Sequence, residues 1–270
     1  MDNALNPDQQ TEWIEPFKGY QYGTRQMTVE AADQKRLIEL CNIDASLFGS
    51  DMDPSGFISL AIQEGVRNRI HANGTVNMAN RLHQHRRMTL DEPLTVTGRI
   101  LDVVEVPRGK VAMSETWFSG ADGKRAITSW RNSLRPDPTK VGTRGAGEKP
   151  QPVVQDMAAL KKVAQYTLTP EGVKAYTGPH NPIHYDPEAA KRGGFRAPII
   201  GGGQGVRFLT AEIWRHYRPD ELDIEVFFRR PIFWDDSVDV MVEERDGRWG
   251  AICLMKDGKI CTEMKINKVA

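Results

Sequence analysis

Two histidines, His180 and His184, stand four residues apart in the stretch 176–207, YTGPHNPIHYDPEAAKRGGFRAPIIGGGQGVR, with Asn181-Pro182 between them and Asp186-Pro187 just after. Imidazoles titrate near neutrality and serve as general acids or bases. Asn-Pro and Asp-Pro pairs fix turns or open helices, so the side chains among them are held at set angles. Gly201-Gly202-Gly203 then runs into an amphipathic helical pattern. A helix start presents unpaired backbone N–H groups at its positive end, and glycines let a ligand approach them. A polar, Pro-stiffened loop followed by such a helix start suits an anionic or enolate-like ligand. GGGQG is not a nucleotide-phosphate loop, because it lacks the Gly-Lys-Ser/Thr ending and does not leave a parallel strand.

Other chemistry-bearing residues divide by their setting. Arg207, Arg229 and Arg230 are candidates for ligand phosphates, since a guanidinium fork matches phosphate geometry; solvated strand-edge arginines are the alternative. Arg86-Arg87 falls in the same class. Asp186, standing before Pro187, reads as a helix cap. Asn181 is read first as fixing its turn, and as a catalytic candidate it could touch a water as well. Trp214, Phe227, Phe233 and Trp234 read as core or dimer interface. His71, His83, His85 and His216 have no convergent partner in the sequence and are assigned no role. Cys41, Cys253 and Cys261 lack metal-ligand spacing, so they read as reduced structural thiols and no metal is expected.

Bulk composition narrows the class. Lys plus Arg and Asp plus Glu number 36 each, giving zero formal net charge. That argues against a nucleic-acid binder, which carries a basic surplus. An anionic ligand must therefore be met by local cationic groups. No run reaches the roughly eighteen apolar residues of a membrane span, and the acidic, polar N-terminus is no secretory signal. A soluble cytoplasmic protein is expected, and 39 % hydrophobic residues suffice for a sizeable core.

The elements that must position the loop follow from periodicity. A helix is expected from residues 27–30 onward, with Thr28 as its cap and Leu37, Ile38 and Leu40 as an apolar stripe. A second helix is expected over 56–70, with Phe57, Leu60, Ala61 and Ile62 inward and Gly74 as its stop. Period-two patterns follow at 94–100, 111–118 and 126–134, the last two flanking the turn 121–124. Residues 136–152 are rich in Pro, Gly and charge without periodicity, and read as a linker. Beyond it the order repeats. Thr169-Pro170 opens a short helix, and the loop follows. A helix over 203–217 carries Val206, Leu209, Ile213 and Trp214 on one face. Strands are then expected at 224–233, 238–242, 249–255 and 260–266, with Asp246-Gly247 and Asp257-Gly258 at the hairpins. The letters echo too: residues 85–92 resemble 229–236, and 122–124 match 257–259. A helix-loop-helix with antiparallel strands, written twice, implies duplication into a layered α+β arrangement.

At these residues the chain resembles the MaoC-like hydratases and dehydratases of the hotdog fold. The family loop, S/T-G-D-x-N-P-I/L-H-x-D, is similar to residues 177–186, TGPHNPIHYD. Its continuation, A-x-x-x-G-F-x-x-P-I-x-H-G, is similar to residues 190–202, and R-F-x-x-P-V-x-x-G-D to residues 227–236. The resemblance implies a tandem (double) hotdog, two antiparallel sheets each wrapped on a long central helix. It divides the chain into a degenerate acyl-pocket half (1–135), a linker (136–153) and a half carrying the active loop (154–270). It implies a hydro-lyase acting on acyl-CoA or another acyl thioester, without cofactor or membrane, as a homodimer of double hotdogs. His184 would be the acid–base group and the Gly202 N–H the oxyanion donor, with Gly201 and Gly203 beside the substrate. This sequence departs from the motif at two places: Pro179 stands where the family has aspartate, and Gly201 where it has histidine. The missing function could fall to His180, to Asp186, or to Asp51 or Asp53 of the other half. Alternatively the chain binds an acyl thioester without turnover, or hydrolyses it as a thioesterase.

Overall fold

The computed structural model describes residues 12–70, 74–140, 145, 149–179 and 181–270. The first half runs β1 (Arg25–Met27), α1 (Ala31–Glu39), α2 (Gly56–Arg67), β2 (Val76–Gln84), β3 (Leu94–Val106), β4 (Gly109–Ser119) and β5 (Arg125–Pro136). The second runs β6 (Lys161–Thr167), α3 (Pro170–Thr177), α4 (Pro187–Arg192), α5 (Gly202–Tyr217), β7 (Leu222–Phe228), β8 (Ser237–Arg245), β9 (Arg248–Lys256) and β10 (Lys259–Val269). Among the described residues ten strands form one sheet in the order β1-β3-β4-β5-β2-β7-β10-β9-β8-β6. Read inward from either edge, the two halves give the same order of equivalent strands, which is the duplication seen in the letters. The fold is a double hotdog whose two antiparallel sheets are fused edge to edge.

The fusion is the antiparallel pairing of β2 with β7, where Leu82 lies opposite Ile224 and Arg81 opposite Glu225. Period-two alternation puts Leu82 and Ile224, both fully buried, on the core face. On the other face the Arg81 guanidinium makes a two-pronged contact with Asp223, at 2.9 and 2.6 Å. His83 Nε2 lies 2.8 Å from Glu221 Oε1 beside it. Tight two-residue turns close the last two hairpins: Asp246-Gly247 and Asp257-Gly258 have positive φ at both positions, as a primed turn requires.

The core is continuous across the halves. Phe48 and Phe57 from the first half join Phe208, Leu209 and Trp214 of α5 in one cluster, and the Phe48 and Trp214 rings lie 5.2 Å apart. Helix α5 is therefore not amphipathic in the expected sense. Every residue from Gln204 to Trp214 is buried, so its polar side is covered as well as its apolar stripe. No helix among the described residues is long and apolar enough to cross a membrane.

Three expected boundaries shift. Met27 ends β1, opposite Leu94, rather than starting a helix; α1 begins at Ala31 after Glu30, and Thr28 caps nothing there. Strand pairing won over the local capping signal. Helix α2 stops at Arg67, not near Gly74, because Asn68 bonds back to the Glu64 carbonyl and Arg69 takes a positive φ. Its buried face is Phe57, Ile58, Ala61, Glu64 and Gly65, while Leu60 and Ile62 are half-buried. Strand β7 stops at Phe228 rather than 233, since the N–H groups of Arg229 and Arg230 both turn to the Cys261 carbonyl and Pro231 has no N–H to continue the ladder. All three cysteines are free and buried, and burial pushes the Cys41 and Cys253 thiols up to about 12, where they are inert.

Candidate functional site

The loop after α3 is built by local caps. Thr169 accepts a bond from the Gly172 N–H at 3.1 Å and Pro170 occupies the first turn, starting α3 as its sequence dictates. Gly178, at φ 66°, turns the chain out of α3. Asn181 accepts from the Ile183 N–H and caps the single 3-10 turn Pro182–His184. Asp186 accepts from the Glu188 N–H at 2.9 Å and caps α4. The carboxylate of Asp186 is thereby engaged as a cap.

His184 is held from behind. Its Nδ1 lies 2.7 Å from the Ile199 carbonyl oxygen, so Nδ1 carries the proton and donates it. Nε2, with no hydrogen bond among the described residues, keeps its lone pair. Burial pushes the imidazole pKa below its ordinary value, opposed only by the Ile199 bond. The group is a neutral base of defined tautomer at neutral pH.

The same residue, Ile199, leads to the α5 start. Its N–H bonds the Ile183 carbonyl at 3.2 Å, the Ile200 N–H bonds Ile232 O at 2.9 Å, and the Trp234 N–H bonds Pro198 O at 3.0 Å. The segment beyond β7 thus braces the extended segment that enters α5. Three peptide units separate Ile199 from Gly202, at most about 11 Å of chain. His184 and the first turn of α5 are consequently drawn to one side of the molecule. Gly201 is the extended cap of α5 and Gly202 its first residue.

The three glycines differ in what surrounds them. A Cβ on Gly202 would stand 2.9 Å from the Phe228 ring, and one on Gly203 would stand 2.8 Å from Ser59 Oγ of α2. A Cβ on Gly201 would meet nothing within 4 Å. Gly202 and Gly203 therefore permit close packing, whereas Gly201 borders open space.

The arginines do not form one cluster. Arg207 is buried; its Nε bonds Asp53 Oδ2 at 2.6 Å and a terminal nitrogen bonds the Tyr176 hydroxyl at 2.9 Å. That corrects its candidacy for a ligand phosphate, because no fork is left to offer. It also removes Asp53 as a free carboxylate. Asp51 lies 3.7 Å from Arg87. Arg229 is paired with Glu263 and bonds the carbonyls of Pro150 and Gln151, so it ties the end of the linker to the sheet rather than facing a ligand. Arg230 is exposed, with one bond to the Ile260 carbonyl, and keeps donors available. His180 lies outside the described residues.

The Asp53–Arg207–Tyr176 link and the Phe228 contact were not read from the sequence. One signal was present: Arg207 interrupts the apolar run between Val206 and Phe208, as a charge with a buried partner would. Two clefts of about 140 and 320 Å³ open beside the end of α1 and along β6, and neither includes His184 or Gly202. Among the described residues no group of three His, Cys, Asp or Glu is placed to hold a metal ion.

Comparison with known proteins places the loop in context. Residues 157–263 match the model of the MaoC like domain. Over 183 residues the chain is 27 % identical to 3-hydroxyacyl-thioester dehydratase X of Mycobacterium tuberculosis, covering 66 % of this chain and 62 % of that relative. The chain thus spans less than two thirds of that relative's length. The crystal structure of HtdX from the same organism superposes with a TM-score of 0.74 at 21 % identity, covering 90 % of this chain and 98 % of the other. A further Mycobacterium tuberculosis protein, described as having a double hotdog fold, superposes with a TM-score of 0.60 at 11 % identity over 97 % of both chains.

Proposed function

We propose that this chain, whose residues 157–263 match the model of the MaoC like domain, belongs with the MaoC-like dehydratases and hydrates and dehydrates acyl thioesters between 2-enoyl and 3-hydroxyacyl forms. In the hydration direction His184 Nε2 takes a proton from water as the water oxygen bonds C3. Electron density moves to the thioester oxygen, which is met by the Gly202 N–H at the positive end of α5; as that charge collapses back, C2 takes from the His184 imidazolium the proton drawn from water, which regenerates the neutral base. The observation that supports this reading best is the tie through Ile199. One residue fixes the imidazole tautomer and leads three residues later to the oxyanion donor. Arg86 is paired with Glu92, and Arg87 with Asp220 and the Arg218 carbonyl; Arg230, exposed near the end of β7, is then the remaining candidate for a phosphate of a coenzyme A thioester.

Pro179 supports a second reading. A prolyl ring cannot exchange a proton, Asp186 is a cap and Asp53 is paired, so a subunit that binds acyl thioesters without turnover fits the same site. Crotonyl-CoA and longer enoyl-CoAs separate the two. Loss of enoyl absorbance supports hydration, and saturable binding without that loss supports the binding subunit. Free thiol release would point instead to thioester hydrolysis.

A further inference from the structure

A buried ion pair crosses between the halves and reaches Tyr176, just before the loop. Asp53, from the segment before α2, accepts from Arg207 Nε at 2.6 Å and from the Ser55 N–H and hydroxyl at 2.9 and 2.7 Å. Arg207, in the second turn of α5, reaches on to the Tyr176 hydroxyl at 2.9 Å, with its guanidinium carbon 5.3 Å from the centre of that ring. Tyr176 sits in the last turn of α3, one residue before the loop 177–186 begins. Side chains of Arg207 and Asp53 are only 4 % and 1 % exposed, so neither is satisfied by solvent.

Removing two charges from water is expensive, and apolar residues of the same size would often serve stability as well. What such residues could not do is join three separate elements at fixed angles. The guanidinium has two arms in one plane, one on the first half and one on the loop's entry, while its own backbone belongs to the helix that carries the Gly202 N–H. We infer that Arg207 is a positioning residue, clamping Tyr176 and Asp53 so that the loop bearing His184 keeps its register against the start of α5. This role rests on the reading of His184 and Gly202 given above. Neither Arg207 nor Tyr176 touches the reacting atoms; both act through the loop.

Tyr176→Phe removes one oxygen and leaves the ring, and Arg207→Lys keeps the charge facing Asp53 but loses the second arm. Both variants are compared with the wild type for turnover of an enoyl-CoA and for the titration of His184 followed by imidazole NMR. The expected result is a fall in kcat approaching roughly 10²-fold, the size that small misplacement of a catalytic group produces, with KM little changed. The His184 titration moves in the same variants, while thermal unfolding stays cooperative. Lower melting temperature in both variants with kcat and the His184 titration unchanged overturns the proposal, because a merely structural pair behaves that way. Should the wild type show no turnover, the hydratase reading fails, and the titration alone decides the clamp: a shift in both variants supports it, and no shift overturns it.

Discussion

The Nδ1 of His184 and the carbonyl oxygen of Ile199 lie 2.7 Å apart, across fifteen residues of chain that contain all of α4. That bond fixes which nitrogen is free, and burial of the ring keeps it unprotonated at neutral pH. If His184 is the base, His184→Ala lowers turnover of an enoyl-CoA by roughly 10²–10⁴-fold while circular dichroism stays native. An undiminished rate would remove His184 from the mechanism.

The pH dependence follows from the same shift. Its pKa is lowered below 6.5 by burial, opposed by the Ile199 bond, so the unfolded chain binds the proton more readily than the folded one. This contribution to stability is complete above the unfolded value and is lost as pH falls from there through the folded value. Activity should likewise hold its plateau at neutral pH and decline on an acid limb that lies below 6.5. A limb above the ordinary histidine value would contradict a desolvated imidazole base.

The glycines at the start of α5 make a steric test. Gly202→Ala drives a methyl group to 2.9 Å from the Phe228 ring, so it should lower stability and shift the N–H proposed as oxyanion donor. Gly201→Ala meets nothing within 4 Å at a φ of −65° and should be accepted with its melting temperature nearly unchanged. Equal losses in the two variants would mean that Phe228 yields easily.

Pro179 offers a gain-of-function test. Pro179→Asp restores the acidic group of the motif at the loop position where this chain has none. Increased hydration of crotonyl-CoA, read by absorbance, is the expected outcome; no change would place the second acid–base group elsewhere.

The seam between the halves predicts their joint unfolding. Leu82 and Ile224 are both fully buried and face each other across β2 and β7, so Leu82→Ala should cost about 2–5 kcal/mol in urea unfolding. Because the core is shared, tryptophan fluorescence and backbone dichroism should report one transition at the same midpoint. Separate transitions would show that the halves fold as independent units.

Breaking the clamp has its own energetic signature. Arg207→Met leaves Asp53 buried and unpaired, which should cost about 3–5 kcal/mol. Adding Asp53→Asn should recover part of that loss, and a double-mutant cycle from chemical denaturation measures the coupling. Additive effects would show that the pair contributes little.

Much of this molecule could be read from its sequence because the governing signals are local. Asn181-Pro182 and Asp186-Pro187 became the caps they encode, Thr169-Pro170 opened α3, and the Asp-Gly pairs closed the hairpins. Repetition of these local units determined the duplicated order of elements, and the spacing from Thr177 to Gly202 located the loop. Tertiary structure decided what the side chains meet. Whether Arg207 faces a phosphate or Asp53, 154 residues away, depends on how α5 packs against the first half. The end of β1 at Met27 depends on Leu94, and the tautomer of His184 on Ile199. Caps and turns are satisfied within a few residues, so the chain states them directly; buried charges and strand ends are satisfied by partners that only folding brings near.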